Sequence, residues 1–166
     1  MVKVNKKPKK AVFPAKFPKK KAIVKGRLSD IKARKKFILD IWSEAVRLIW
    51  NGKCGMCGNG GSQAHHYFGK KAYPHMMFEV DNGVWTCFSC HIIKTHRMGR
   101  TEETRDAIIK KIGNEKFYLL KQAAYKIDEN GEPIRTKTLT LANLDMIEKK
   151  LIAMINILRI YHKDQP

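Results

Sequence analysis

Cys54-Gly-Met-Cys57 and Cys87-Phe-Ser-Cys90 hold all four cysteines of the chain, with 29 residues between the two pairs. Each Cys-x-x-Cys pair can grip a metal ion from a tight turn, and the two together supply four thiolates to one tetrahedral Zn2+. A zinc closed by four protein ligands does no chemistry but contributes directly to folding. Two disulfides would use the same residues, but the pairing in Cys-x-x-Cys units suits a metal better and fits a reducing cytoplasm. The first pair lies on a glycine-rich stretch, Cys54-Gly-Met-Cys57-Gly-Asn-Gly-Gly, open enough to form a knuckle around an ion.

Charge sets the class of partner. Lys and Arg total 34 against 15 acidic residues, a formal +19, which points to a polyanion, with nucleic acid ahead of an anionic membrane surface. Among the first 36 residues 15 are Lys or Arg and only Asp30 is acidic, so this stretch carries +14 of the total. Residues 1–28 read as a flexible basic arm, because three prolines and few apolar side chains leave little surface to bury. Its lysines Lys6, Lys7, Lys9, Lys10, Lys19, Lys20 and Lys21 are candidate DNA contacts, and a solubilising tail is the plainer alternative. No apolar run reaches the roughly 20 residues of a bilayer span, and the N-terminus lacks the apolar core of a secretory signal.

Residues 29–166 read as one α+β domain, since 166 residues suit a single compact body. Apolar residues from Ile31 to Ile49 recur at helical spacing behind Ser29-Asp30, which predicts a helix over about 30–50 stopped by Asn51-Gly52. Short extended pieces at Gln63–Phe68 and Gly83–Thr86 predict a two-stranded ribbon. A helix is expected to open near Cys90, another at Thr101 to end at Gly113, and a third over 115–126, with a turn at Asp128–Gly131. The stripe Leu144, Ile147, Leu151, Met154, Ile155, Leu158, Tyr161 marks a last helix whose apolar face suits the core and a homodimer interface equally. Tyr67, Phe68, Trp85 and Phe88 are expected to pack around the zinc.

Between and beside the cysteine pairs lie His65-His66 on the first predicted strand, Asn82 before Cys87, and His91 directly after Cys90. The order is His, Asn, His. His65-His66 with Asn82-Gly-Val-Trp-Thr-Cys87-Phe-Ser-Cys90-His91-Ile-Ile-Lys94 resembles the ββα-metal motif of HNH nucleases with embedded zinc cysteines. Cys54 through about Leu119, including Pro74, Phe78, Asn82 and Arg105–Ile112, is similar to the phage NinG/Rap recombination endonucleases, which cut branched DNA. That pattern usually has Gly where this chain has His65 and Asn where it has His91. A double histidine on the first strand also resembles colicin nuclease domains, where the first binds metal and the second activates water.

The resemblance implies a small ββα-metal core flanked by helices, a DNA partner with branches such as Holliday junctions or flaps, and a catalytic Mg2+ or Mn2+ beside the structural Zn2+. His66 is then the general base, His65 and His91 are catalytic metal ligands, and Asn82 fixes the loop facing His66 through its amide. Adjacent residues on a strand point to opposite faces, so His65 and His66 divide these roles only if the strand bends or the metal sits at its edge. Lys94 is a candidate phosphate contact and His96 a candidate accessory contact, as an extra metal ligand, with a solvated helix face as the plainer reading of both. Two other functions use the same features: an HNH nicking, homing or packaging nuclease on ordinary duplex, and a non-catalytic zinc-ribbon DNA-binding protein.

Overall fold

A computed structural model describes residues 28–125 and 139–163. The seven arm lysines named above and the turn expected at Asp128–Gly131 lie outside the described residues.

Helix α1, Leu28–Ile49, is followed by strand β1, Gln63–His66, strand β2, Gly83–Thr86, a π-helix, Ser89–Arg97, and helices α2, Thr101–Ile112, α3, Asn114–Ala124, and α4, Leu141–Lys163. The described chain is thus α+β, with one antiparallel ribbon that pairs His65 with Val84 and His66 with Gly83. Pairing ends at His66, two residues before the extended stretch read from the sequence. Ser29-Asp30 and Thr101 fall inside the first turns of their helices rather than before them, and Arg100 precedes α2 without a side-chain cap. Helix α1 stops as its sequence requires: Asn51 and Gly52 both take left-handed backbone (φ 53° and 66°), and Gly52 N–H returns to Arg47 O at 2.9 Å.

Helices α1 and α4 form the main core, with Ile38, Ile41, Trp42, Ala45 and Val46 packed against Leu144, Leu151 and Ile155. The two helices run parallel, since Arg34 meets Asp145 (2.5 Å) and Glu148 near their starts, while Arg159 meets Glu44 (3.3 Å) near their ends. Buried ion pairs of this kind lose solvation, and the added hydrogen bonds must offset that loss. The predicted stripe on α4 is therefore core: Leu144, Leu151 and Ile155 are buried, Ile147 and Leu158 pack beside them, and only Tyr161 turns outward. Met146, Ile157 and Ile160 are among the apolar residues that α4 leaves exposed.

The zinc-loop region sits on this helix pair through β2. A Cβ on Gly83 would lie 2.4 Å from Val46 Cγ2 and 2.9 Å from the Trp42 ring, so only glycine lets β2 approach α1 so closely. On the far side, α2 and α3 bring Ala107, Ile108, Leu120 and Ala124 onto Phe68, Met76 and Val84 in a second core. Among the described residues no helix is long and apolar enough to cross a membrane.

Candidate metal centre

The first knuckle is folded by its own backbone: Gly58 N–H reaches Cys54 O at 2.8 Å and Cys54 N–H reaches Asn59 O at 2.6 Å. Gly55 N–H donates to Trp85 O at 2.8 Å, which ties the knuckle to β2 and so to the second pair at its end. All four cysteines are free thiols, with Sγ atoms within 4.8 Å of one another and Cys57 Sγ 3.8 Å from Cys87 Sγ. A zinc tetrahedron with Zn–S near 2.3 Å has edges of about 3.8 Å, so the donor set fits that ion. Burial and the neighbouring thiols push Cys90 up, whereas at Cys54 burial is outweighed by backbone hydrogen bonds from Cys87, Cys57 and Met56, which bring it to about 7. Four thiolates so close repel one another unless a cation sits between them, and these residues could hold a metal such as zinc.

A second group of donors lies on the other side of the same turn. His65 from β1 and His91 and His96 from the π-helix bring one ring nitrogen each within 4.8 Å of the others, and His91 Nε2 lies 3.2 Å from His96 Nε2. The π-helix explains the last pair. Its hydrogen bonds close five residues on, as from Met98 N–H to Ile93 O at 3.0 Å, so residues five apart share a side. An α-helix would have turned His96 away from His91 by about 140°. Neighbouring ligands at about 2.1 Å from an ion lie about 3.0–3.4 Å apart, so the imidazole pair also fits a metal.

Burial first, then the charges of His91, His96 and His66, lower His65 to about 4, and burial with His96 lowers His91. Both rings are neutral at neutral pH and keep a lone pair for a cation. The Nδ1 atom of His91 is buried without a hydrogen-bond partner among the described residues. His96, read from sequence as an accessory or solvated residue, is thus the third member of a ring of imidazoles.

His66 points the other way, as strand alternation requires. Its ring stacks on Trp42 (centroids 3.9 Å apart, planes 9° apart), and Nε2 lies 2.9 Å from Met77 O. In a neutral ring that contact fixes the proton on Nε2 and leaves the lone pair on Nδ1. Burial lowers the affinity of His66 for a second proton, against the Met77 contact. Asn82 is fully buried and holds the intervening loop: its Oδ1 accepts from Phe68 N–H at 2.7 Å, and its Nδ2 donates to Phe68 O at 3.0 Å and Met76 O at 3.1 Å. The amide fixes the segment that carries Met77 O, the partner of His66.

Lys94 is bound to Glu103 at 3.0 Å, which Arg100 shares at 3.3 Å. One expectation needs correcting. Phe88 does not pack around the cysteines; it is 64 % exposed, while Phe68 and Trp85 are buried and Tyr67 packs at the edge of the second core. His75 and His162 each contact a backbone carbonyl, Ala123 O and Leu48 O, both at 3.0 Å. Trp42, the platform under His66, carried no sequence signal beyond its place on the apolar face of α1.

The fold and its side chains define an α+β protein in which a four-cysteine cluster and a three-histidine cluster gather around one small ribbon and the π-helix that follows it. A family model described as Bacteriophage Lambda NinG protein matches residues 2–149, most of the chain, and the chain belongs to that family. No curated protein and no solved structure matches it.

Proposed function

We propose that this protein is a metal-dependent DNA endonuclease of the HNH type that hydrolyses phosphodiester bonds in branched recombination or replication intermediates. The observation that carries the reading is the division of the two strand histidines: His65 joins His91 and His96 in an imidazole cluster, while His66 is held separately with a free lone pair on Nδ1. Cys54, Cys57, Cys87 and Cys90 hold the structural Zn2+ and brace the start of the π-helix. Three imidazoles suit a borderline transition ion such as Co2+, Ni2+ or Zn2+ best, hold Mn2+ more weakly, and suit Mg2+ least, since it prefers oxygen ligands. When bound there, such an ion supplies Lewis acidity at a phosphate oxygen.

The chain's own residues supply the rest. Water attacks phosphorus in line with the leaving deoxyribose oxygen, His66 Nδ1 accepts the proton that the water gives up, and the departing oxygen takes a proton from solvent. Met77 O keeps that nitrogen available by holding the proton on Nε2, and Asn82 keeps Met77 in place. The +19 charge draws the polyanion in, with the arm lysines as cations for its phosphates. The working compartment in this reading is the cytoplasm of the host cell, and the partner is DNA.

The test is single-turnover cleavage of four-way, flap and linear DNA by wild type and His66→Ala. We expect His66→Ala to keep fold, zinc and DNA binding and to lose at least about 100-fold in rate, the usual cost of losing a general base. Near-normal cleavage by that variant removes His66 from the mechanism, and equal wild-type rates on all three substrates favour an ordinary-duplex nuclease.

A further inference from the structure

The π-helix has an outer side that the proposed chemistry does not use. Residues five apart share a side of this helix: Cys90 and Thr95 are both buried, and His91 and His96 meet through their rings. By the same step Phe88, Ile93 and Met98 succeed one another along the solvent side, 64 %, 40 % and 54 % exposed. Arg97 is exposed beside them and has no acidic partner among the described residues. The outcome is an apolar strip with an aromatic ring at one end and a guanidinium alongside, on the same helix as the histidine cluster.

We propose that this strip is a base-stacking platform, on which Phe88 and Ile93 receive an unstacked nucleobase at a branch or strand end while Arg97 contacts the adjoining phosphate. The inference rests on the nuclease reading and adds a physical source of substrate choice. An intact duplex keeps its bases paired and stacked, so it offers this strip only sugar and phosphate. A branch point exposes the π-face of a base, which any aromatic ring can stack on, and apolar side chains can wedge open a weakened step. The charge fits the same occupant, because Arg97 and the basic chain suit a polyanion. Continuity with the histidine cluster would set the bound base a short way from the phosphodiester to be cut.

The experiment uses the full zinc-loaded chain and a four-way junction carrying 2-aminopurine at the branch point, with a linear duplex of the same sequence as control. Binding is followed without added divalent cation, so that cleavage does not contribute. The wild type is expected to change the 2-aminopurine signal in the junction and not in the duplex. Phe88→Ala should lose that change and bind the junction roughly ten-fold more weakly with duplex binding unaltered, whereas Phe88→Trp should retain both. Because Phe88 is exposed, circular dichroism and zinc content should stay as in wild type.

Wild-type behaviour of the Phe88→Ala, Ile93→Ala double variant overturns the platform. So does an equal loss on junction and duplex, or a change in sedimentation with DNA binding intact, which would make the strip a protein interface. A wild type that shows the branch-specific signal but cleaves no DNA with any metal supports the platform and sinks the nuclease reading alone.

Discussion

Asn82 makes three hydrogen bonds to backbone groups from a fully buried position. Replacing it with Ala strands one N–H and two carbonyls away from water, each worth about 1–3 kcal/mol when unsatisfied. Relaxation and entering water recover part of this, so Asn82→Ala should destabilise the chain by about 3 kcal/mol in urea unfolding. A loss below about 0.5 kcal/mol, the scale of an ordinary surface change, would mean that the amide does not hold the loop. Asn82 also ends a short 3-10 turn, so one residue both closes that turn and bonds across the loop. The cysteines were legible because their chemistry needs only spacing. Phe88 was misread because an aromatic beside a zinc ligand is usually core, and nothing in the local pattern says which way a knuckle turns its side chains.

At the scale of elements, periodicity gave α1, the ribbon and α4 within a few residues, because each buries one regular face. The π-helix was not legible, and without it the plainer, solvated reading of His96 takes precedence over that of an extra ligand. His91 and His96 stand five apart, a spacing that an α-helix puts on different sides, so their meeting depends on a hydrogen-bond shift that no side chain announces. The parallel packing of α1 on α4 was equally hidden, as its ion pairs join residues more than 100 apart in sequence.

That packing carries a pH prediction through Glu44, bonded to Arg47 at 2.7 Å and to Arg159 at 3.3 Å. Burial pushes its pKa up, but the two guanidinium groups win and hold it below the usual 4.5. A carboxylate lowered on folding stabilises fully above its unfolded value, and the contribution fades as pH falls through the folded one. Glu44→Gln should therefore cost about 1–3 kcal/mol at pH 7, and its deficit relative to wild type should shrink below about pH 4.5. A pH-independent deficit in thermal or urea unfolding would mean that packing, not charge, is what the substitution removes.

The whole molecule divides its labour along the chain, with +14 of +19 in the first 36 residues and the cysteine and histidine clusters near the middle. Composition made the polyanion reading accessible from sequence alone, while the geometry of any DNA path depends on side chains that only the fold brings together. Deleting residues 1–26 removes ten lysines. Each phosphate they neutralise on duplex DNA contributes roughly −0.9 to the slope of log K against log salt. The truncated protein should bind more weakly, with a flatter slope, and still cleave at low salt. An unchanged slope in a salt titration would reduce the arm to a solubility tail.

The central claim is that the histidine cluster, braced by the cysteine cluster, binds the ion for DNA hydrolysis. It is tested most directly by single-turnover cleavage of a four-way junction with and without Mn2+, using zinc-loaded wild type and His65→Ala, with bound zinc measured on the same samples. The account predicts metal-dependent cleavage by wild type and a loss of about 100-fold or more in His65→Ala, partly recovered at high Mn2+, with the zinc held by the cysteines retained in both. Equal cleavage by the two proteins, or cleavage by wild type that persists when Mn2+ is withheld and chelator added, would contradict it.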